Sequence, residues 1–405
     1  MRLFLFTDAF PHGLSETFLE NELPFLSDKF EKVILIPLYK KEGIRSIPEN
    51  INTWNPIINF NPSNKLSMLK YGLFNLAPIR FEIKEFFQKK VYLNKNWVWN
   101  FFTSLLLFRS IYSNSNLWKK FLNEITFEDK IYFYWGDKSI LILPFLKNKI
   151  NNTTYVRFHR TDLYEYAKGD YIPFRKYVFP SINWFLPISN DGKKYLIENY
   201  LDLINPDKIH IHRLGVLNNG INPLKNKTDI FQIVSCSYMV PVKRISLIID
   251  ALKLIDFEIK WTHIGTGNLY ESLKKSSELL PSNIHVELSG SLSNKEVINF
   301  YQLHHVDLFI NVSSSEGVPV SIMEALSFGI PVIATDVGGT SEIIDKQVGK
   351  LLKSNSEACE IAKTISDFAN QDLSEMRYNA RRRWNDTSYA KTNYLKFVEF
   401  INISN

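Results

Sequence analysis

Residues 313–343 constrain the fold of this chain more than any other stretch, because strand, turn and helix signals follow one another there in a fixed order. An apolar run at residues 307–312 precedes them and predicts a buried strand that ends in a serine-rich turn. A helix is expected next, with Pro319 at its first helical position and Gly329 as its stop. A further strand should then lead into a flexible turn at Gly338.

Two glutamates, Glu316 and Glu324, lie eight residues apart in this stretch. A strand, a turn and a helix in succession direct unpaired N–H groups and the positive helix end at whatever lies above the sheet, which favours a phosphate. Ionised carboxylates only accept hydrogen bonds, so beside an anion site they suit hydroxyl groups. A ligand that carries both phosphates and hydroxyls is a nucleotide sugar.

The order of residues here resembles the donor-binding signature of glycosyltransferase family 4, retaining enzymes among the group 1 glycosyltransferases. That signature runs Ser, Glu-Gly, Pro or Phe, Glu-Ala, a small residue, Gly-x-Pro-Val-(Ile or Val)-Ala and Gly-Gly-x-x-Glu. Nearly every element has a match, namely Ser315, Glu316, Gly317, Glu324, Ala325, Gly329, Pro331, Val332, Ile333, Ala334, Gly338, Gly339 and Glu342. The resemblance implies an α/β protein of the GT-B fold, in which two Rossmann-like βαβ domains face a central cleft.

Two domains are also the natural expectation for 405 residues. We predict an acceptor-binding domain at residues 1–215 and a donor-binding domain at residues 216–383. The segment 384–405 has an aromatic, amphipathic pattern and is predicted to be a helix that crosses back to the first domain, as the resemblance implies.

The resemblance assigns roles to the residues of the second domain. Glu316 would hold the hydroxyls of the donor sugar, and Glu324 those of the ribose. Lys243 stands where the family's lysine meets the donor pyrophosphate. Many members carry an arginine six residues earlier, where this chain has Ser237, so Arg244 is expected to supply the missing charge.

Two short glycine segments complete the predicted donor site. Gly265 and Gly267 fit a tight turn that lets the backbone approach the nucleotide. A dinucleotide fingerprint would need a third glycine where Tyr270 stands, so a NAD-dependent dehydrogenase is not favoured. The loop that follows Glu316 is also expected to touch the donor, through Gly317, Val318, Pro319 and Val320.

The first domain supplies the other candidates. Residues 2–7 predict the first strand, and the loop after it resembles a motif of some family 4 enzymes that places Phe10, Ser15 and Glu16 on the acceptor side of the cleft. Thr17 and Glu20 have the spacing of a capping box for the next helix.

His159 and Asp162 follow a predicted strand at residues 154–158 and match the His-x-x-Asp of many family members. At the carboxyl end of a parallel strand, that histidine is predicted to contact the sugar or the developing charge from the opposite domain. Closure of the cleft would then bring both halves of the site together and expel water.

Neither a metal nor a cofactor is expected. No Asp-x-Asp sequence occurs, and the eight histidines lack ligand spacing. The leaving diphosphate would instead be neutralised by Lys243, Arg244 and helix N-termini. In the front-face mechanism that the resemblance implies, the departing phosphate oxygen helps to deprotonate the acceptor hydroxyl, so that no dedicated general base is required.

Residues 61–120 contain ten basic and two acidic side chains, many aromatic residues among them, within a chain of net charge +6. One interpretation is a set of amphipathic helices that pack on the domain. The other is a surface that contacts an anionic membrane or an acceptor lipid. Nucleic acid is not favoured, because no nucleic-acid-binding motif accompanies the charge.

Location and function follow from these features as expectations. Only two cysteines occur, no apolar run reaches 18 residues, and the N-terminus is a poor signal peptide, so a cytoplasmic protein, peripheral on the inner face of the plasma membrane, is expected. The leading hypothesis is a transferase that moves a sugar to a glycan or lipid-linked acceptor in cell-surface polysaccharide synthesis. The alternatives are another GT-B enzyme, such as a sugar-nucleotide epimerase or a phosphorylase, and a non-catalytic GT-B binding subunit.

Overall fold

The computed structural model describes residues 1–13, 16–58, 80–224 and 230–404. The chain forms two compact units, of which unit 1 comprises residues 1–212 and 394–405 and unit 2 comprises residues 213–393. The boundaries predicted from the sequence, after residues 215 and 383, lie three and ten residues from these points, since 215 − 212 = 3 and 393 − 383 = 10.

Unit 1 contains a six-stranded parallel sheet in the order β3-β2-β1-β4-β5-β6. Its strands are β1 Arg2–Thr7, β2 Lys32–Pro37, β3 Ile51–Thr53, β4 Lys130–Phe133, β5 Thr154–Phe158 and β6 Trp184–Pro187. Its helices are α1 Leu19–Lys29, α2 Arg80–Gln88, α3 Lys95–Ser113, α4 Ser115–Glu124, α5 Leu143–Lys147, α6 Arg160–Leu163, α7 Arg175–Val178 and α8 Asn190–Tyr200.

This sheet is buried on both faces, which explains why its strands are continuous apolar runs. Successive side chains of a strand point to opposite faces, so Leu3 and Leu5 enter one core cluster while Phe4 and Phe6 enter another. Helices cover both clusters. Because the strands are parallel, their carboxyl ends all lead into loops at the same edge of the sheet.

Unit 2 repeats the same design. Its parallel sheet has the order β12-β11-β10-β7-β8-β9, formed by β7 Phe231–Cys236, β8 Ile259–Ile264, β9 Ile284–Gly290, β10 Leu308–Asn311, β11 Val332–Thr335 and β12 Gly349–Leu352. Its helices are α9 Ile245–Leu252, α10 Tyr270–Ser277, α11 Asn294–Leu303, α12 Val320–Ser327, α13 Ala358–Ala369 and α14 Ser374–Thr387.

In both sheets the strand order reverses at the centre, between β1 and β4 in unit 1 and between β7 and β10 in unit 2. Ligands of such doubly wound folds bind beyond the carboxyl ends of the strands at this point of reversal. The two sheets confirm the predicted architecture of two Rossmann-like α/β domains.

Three local predictions were wrong. Helix α1 begins after Phe18, which has no side-chain cap hydrogen bond, so Thr17 and Glu20 do not form its capping box. Pro319 is the N-cap of α12 and not its first helical residue, because its ψ angle of 116° is extended. The segment predicted as one terminal helix is divided by Ser388, so that α14 ends at Thr387 and α15 runs over Ala390–Ile403.

The last turns of α15 belong to unit 1, where Tyr394, Phe397, Val398 and Ile401 are buried. None of the helices in the ranges described above has the length and apolarity needed to cross a membrane.

A fully buried ion pair lies where α15 meets the sheet of unit 1. The Arg157 guanidinium donates to Glu22 at 2.7 Å and lies 4.5 Å from the ring centroid of Phe397. Tyr132 donates to the other oxygen of the Glu22 carboxylate at 3.0 Å. Burial raises the pKa of Glu22, and the nearby Arg157 opposes that rise. The pair therefore fastens α1, β5 and α15 together.

We expect Arg157→Met to lower the free energy of unfolding by roughly 3–5 kcal/mol, because it leaves the Glu22 carboxylate buried without a cation. The double variant Glu22→Gln/Arg157→Met should recover most of that loss, since the amide oxygen of Gln still accepts from Tyr132. Urea denaturation of the full-length chain measures both. An equal loss in the two variants would mean that packing, and not the uncompensated charge, is responsible.

Candidate functional site

The loops after β7 and β10 meet at the point where the strand order of unit 2 reverses. The amide N–H of Ser314 donates to the carbonyl of Val242 at 2.8 Å and joins the two loops. Across this contact the Lys243 ammonium lies 2.5 Å from a carboxylate oxygen of Glu316. The same oxygen accepts from the Asn311 side chain at 3.3 Å. The structure thus brings together the two predicted residues that carry opposite charges.

Arg244 has a different environment from its neighbour Lys243. It adopts a left-handed conformation, with φ of 48°, directly before α9. Its guanidinium donates to the backbone carbonyls of Val312, Ser313 and Ser354 at 2.6, 3.3 and 2.7 Å. These contacts show that Arg244 fastens the loop after β10 to its surroundings.

A close backbone contact between Gly338 and Glu316 fixes the position of the Glu316 backbone in its loop. A Cβ atom on Gly338 would lie 2.1 Å from the Glu316 carbonyl oxygen, and Gly338 has a left-handed φ of +54°. The next residue, Gly339, donates its N–H to the Gly317 carbonyl at 2.6 Å. The two ends of the sequence motif are therefore in direct contact, and only glycine fits at position 338.

Helix α12 begins directly after this loop, with Gly317, Val318 and Pro319 buried and Val320 as its first residue. The first N–H groups of a helix lack intrahelical partners and carry the positive end of the helix dipole. The geometry near Lys243 therefore favours an anion such as a diphosphate.

Glu324 lies on α12 and is buried, with 6% of its surface exposed. Its carboxylate accepts from the Asn294 amide at 2.7 Å. Burial raises the pKa of this carboxyl to about 7, and the Asn294 hydrogen bond opposes the rise. On the nearby strand end, burial and the negative charge of Glu324 raise the pKa of the Cys236 thiol to about 12.

The glycine turn after β8 packs backbone to backbone against the loop after β7. A Cβ atom on Gly265 would lie 1.9 Å from the Ser237 carbonyl oxygen, and one on Gly267 would lie 2.5 Å from that of Met239. The buried His263 lies beneath this contact, with its Nε2 3.2 Å from the Ser237 carbonyl. Both glycines thus fit the predicted tight turn.

His159 and Asp162 lie at the carboxyl end of β5 in unit 1. The Asp162 carboxylate accepts the backbone N–H groups of His159 and Gly136 at 2.7 and 2.6 Å. The His159 ring lies 4.4 Å from that of Trp135, centroid to centroid. Both ring nitrogens are buried and make no hydrogen bond within the described part of the chain, but Nδ1 lies 3.6 Å from an oxygen of the Asp162 carboxylate. Asp162 therefore positions the histidine through its backbone N–H and also lies beside its ring.

The remaining candidates of unit 1 have structural contacts. The Glu16 carboxylate accepts three backbone N–H groups of the loop after β1 at 2.7–3.0 Å and the Trp135 indole at 2.7 Å. Phe10 is fully buried in the core, with the Arg45 guanidinium over its ring. Ser15 lies outside the described residues.

Two sets of polar residues near the strand ends were not predicted from the sequence. One is Asn294, the partner of Glu324, which is separated from it by 30 positions. The other is a cluster at the carboxyl ends of β1, β2 and β4, where Tyr39 donates to Asp8 at 3.0 Å and the Lys138 ammonium pairs with the same carboxylate. A polar residue after each predicted strand was the only available signal for the cluster.

No three His, Cys, Asp or Glu side chains in the described ranges come together in a way that could hold a metal ion.

Comparison with known proteins shows which sequences and folds this chain is similar to. Residues 220–389 match the family model described as "Glycosyl transferases group 1". The uncharacterized glycosyltransferase MJ1178 of Methanocaldococcus jannaschii is 29% identical over 273 residues, which cover 65% of this chain and 73% of that protein. The O-antigen biosynthesis glycosyltransferase WbnH of Escherichia coli is 40% identical over 111 residues, but these cover only 26% of this chain and 30% of that protein.

Solved structures match over the whole chain. The apo form of the lipopolysaccharide outer core galactosyltransferase WaaB superposes with a TM-score of 0.68 at 14% identity, covering 100% of this chain and 99% of that one. The Anabaena protein Alr3699/HepE, solved in complex with UDP, superposes with a TM-score of 0.63 at 14% identity and covers 99% of each chain. At these identities the likeness concerns the fold.

We expect Gly338→Ala to destabilise unit 2 well beyond the roughly 1–2 kcal/mol that a left-handed Ala costs, because its methyl group would also collide with the Glu316 carbonyl. Gly290→Ala is the matched control, since Gly290 has φ of +70° but nothing within 4 Å of the added atom. Denaturant unfolding compares the two variants. Equal losses would contradict the proposed steric contact.

Proposed function

We propose that this chain, which is a group 1 glycosyltransferase of the GT-B fold, transfers a sugar with retention of anomeric configuration from a nucleoside-diphosphate sugar to a glycan or lipid-linked acceptor. The observation that carries the proposal is the pairing of Lys243 with Glu316 beside the N-terminus of α12. This pairing supports the proposal because a cation and a helix end that would bind the diphosphate lie next to a carboxylate that would accept from sugar hydroxyls. A role in cell-surface polysaccharide synthesis is supported by relatives named for O-antigen, teichuronic acid and colanic acid biosynthesis.

Each candidate site residue of unit 2 has a role in this proposal. Lys243 and the first N–H groups of α12 bind the diphosphate, Glu316 accepts from hydroxyls of the donor sugar, and Glu324 accepts from the ribose. Arg244 acts on the same site by holding the loop after β10 in place, through its contacts with backbone carbonyls. The turn at Gly265 and Gly267 provides backbone for the nucleotide.

The transfer itself uses the leaving group as the base. The bond from the anomeric carbon to the phosphate oxygen breaks, and the departing oxygen takes the proton of the acceptor hydroxyl. The acceptor oxygen then bonds to the same face of the anomeric carbon. Lys243 and the helix end stabilise the negative charge that develops on the diphosphate. Since these groups supply the positive charge, we propose that the reaction needs no metal and that EDTA leaves its rate unchanged.

His159 is proposed as the substrate-facing residue of unit 1. It is 6% exposed, and its ring Nε2, which makes no hydrogen bond within the described part of the chain, would bind a substrate hydroxyl. Asp162 would act through it, because its carboxylate holds the His159 backbone in place.

Incubation with a panel of nucleotide sugars tests the proposal, by following the release of free nucleoside diphosphate and the anomer of the released sugar. We expect slow hydrolysis of one donor, with the sugar appearing first in the anomeric form that it had in the donor. An epimerase would convert the sugar without releasing diphosphate, a phosphorylase would need inorganic phosphate, and a non-catalytic subunit would release nothing.

Glu316→Gln is the matched variant in this assay. It should abolish sugar release yet leave the affinity for free diphosphate intact or raised, because it frees Lys243 from its carboxylate partner. A large loss of diphosphate affinity in Glu316→Gln would contradict the assignment of Glu316 to the sugar.

We further propose that unit 1 binds an anionic membrane surface on the cytoplasmic side through α2, α3 and the short 3-10 turn Val91–Leu93 between them. Large apolar side chains are exposed there, namely Ile83, Phe87, Tyr92, Leu93, Trp99 and Phe102. Several of them form a continuous cluster, since the half-buried Phe86 ring lies 5.6 Å from Phe87 and 6.1 Å from both Tyr92 and Phe102.

The same segment carries four exposed lysines, namely Lys84, Lys89, Lys90 and Lys95. The other side of the same segment packs into the core through residues such as Phe101, Leu105 and Phe108. The buried side chains support the interpretation that helices of residues 61–120 pack on the domain, and the exposed aromatic and basic side chains support contact with an anionic membrane. Residues 61–79 of that window lie outside the described residues.

Lys89→Glu/Lys90→Glu should weaken binding to vesicles that contain phosphatidylglycerol by about tenfold or more, because each lysine near such a surface contributes roughly 1 kcal/mol. Lys274→Glu/Lys275→Glu makes the same charge change on unit 2 and should have little effect. Cosedimentation at low and high salt measures binding, which should fall as salt screens the charges over about 8 Å. Equal binding to purely phosphatidylcholine vesicles, or none at low salt, would refute the proposal.

A further inference from the structure

The Glu324 carboxylate is held by a side chain from a neighbouring helix. Asn294, the first residue of α11, donates from its amide to a Glu324 carboxylate oxygen at 2.7 Å. No other hydrogen bond of this carboxylate is found among the described residues, so its second oxygen is available to a ligand. The contact joins the N-terminus of α11 to the middle of α12.

Asn294 is not required to cap its own helix. That function belongs to Ser293, whose hydroxyl accepts the Glu296 N–H at 3.3 Å, while the Glu296 carboxylate accepts the Ser293 N–H at 2.7 Å. Since this capping box satisfies the helix end, the amide of Asn294 is free to point toward α12. The contact between the Asn294 amide and Glu324 is therefore separate from the capping of α11.

The groups around Glu324 offer little other stabilisation for a negative charge. Cys236 on β7 and Tyr301 on α11 both face it, and the negative charge of Glu324 contributes to the raised pKa of each. Lys243 acts electrostatically on Cys236, but its ammonium pairs with Glu316. On α14, Arg377 and Arg381 donate to the backbone carbonyls of Val306 and Ser327. The Asn294 amide is thus the group that stabilises the ionised carboxylate.

We propose that Asn294 is a positioning residue for nucleotide binding, whose amide holds the Glu324 carboxylate charged and oriented to accept hydrogen bonds from the ribose. This inference rests on the proposed function, in which Glu324 binds the ribose. A charged acceptor binds hydroxyls more strongly than a neutral one. Asn294 would therefore extend the pH range over which the nucleotide binds well.

The direction of the pH effect follows from the burial of Glu324. Its pKa of about 7 lies above the ordinary value, so the carboxylate is charged above that pH and becomes protonated below it. Nucleotide affinity should consequently fall as the pH drops through this range. Removing the Asn294 amide withdraws a hydrogen bond that favours the charged form, so the fall should begin at a higher pH.

Calorimetric titration with UDP, GDP and ADP at pH 6 to 9 tests the inference, using the nucleotide that the wild type binds. Asn294→Ala should bind it roughly tenfold more weakly at pH 7 and recover much of the loss at pH 9. Asn294→Asp has the same shape but adds a second carboxylate, so its profile should move further toward high pH. Ser293→Ala is the structural control, which should lower the melting temperature but leave the pH profile unchanged.

Two outcomes would overturn the inference, namely an unchanged pH profile in both Asn294 variants, or a shift in Ser293→Ala as large as theirs. Glu324→Gln separates this failure from that of the proposed function. If it loses affinity and pH dependence while the Asn294 variants behave as wild type, only the role of Asn294 is refuted. If it has no effect, or if no diphosphate binds the wild type, the proposed role of Glu324 in nucleotide binding fails as well.

Discussion

The parallel pairing of β7 with β10 at the centre of unit 2 is the constraint on which the candidate site depends. These strands are neighbours in space although two strands and several helices separate them in sequence. The loops at their carboxyl ends carry Lys243 and Glu316, which form an ion pair there. The close contact between Gly338 and the Glu316 carbonyl fixes the position of the loop that carries Glu316. A change in strand order would separate the two charges, whatever the local sequence.

The two units have the same strand order, but the loop after the first strand differs between them. In unit 1 the loop after β1 directs three backbone N–H groups at one point, and the Glu16 carboxylate of the same chain occupies it. In unit 2 the corresponding loop, after β7, presents the Lys243 ammonium, which pairs with Glu316 in the loop that leads from β10 to α12. An anion placed at the first position would compete with a carboxylate held by four hydrogen bonds, including the one from Trp135. This asymmetry favours unit 2 as the unit that binds diphosphate.

Much of the fold could be predicted from the sequence because buried parallel strands are continuous apolar runs, and β1 and β5 begin and end where the pattern placed them. The motif also located Glu316 and Gly338 on loops that meet, and the family resemblance located Lys243 on the loop opposite Glu316. Contacts between distant segments leave no local signal. Asn294 reads as an ordinary helix start, and its link to Glu324 appears only when α11 and α12 are side by side. Ser388 was likewise not recognisable as a break, since the amphipathic pattern continues through it.

The two glutamates of the motif have different environments, because they differ in their hydrogen-bonding and ion-pair partners. Glu316 pairs with a cation, whereas Glu324 is buried beside a neutral amide and has a pKa raised to about 7. In the proposed function, a diphosphate that binds Lys243 takes over the cation of Glu316. The Glu316 carboxylate is then left with the Asn311 amide and can accept from sugar hydroxyls. Because the contacts with Lys243 and Asn311 are made by the same oxygen of Glu316, the release of Lys243 would give that oxygen more capacity for sugar hydroxyls once the phosphate is bound. Glu324 has no such exchange to make, which suits a residue that recognises the ribose of the donor and of the free diphosphate alike.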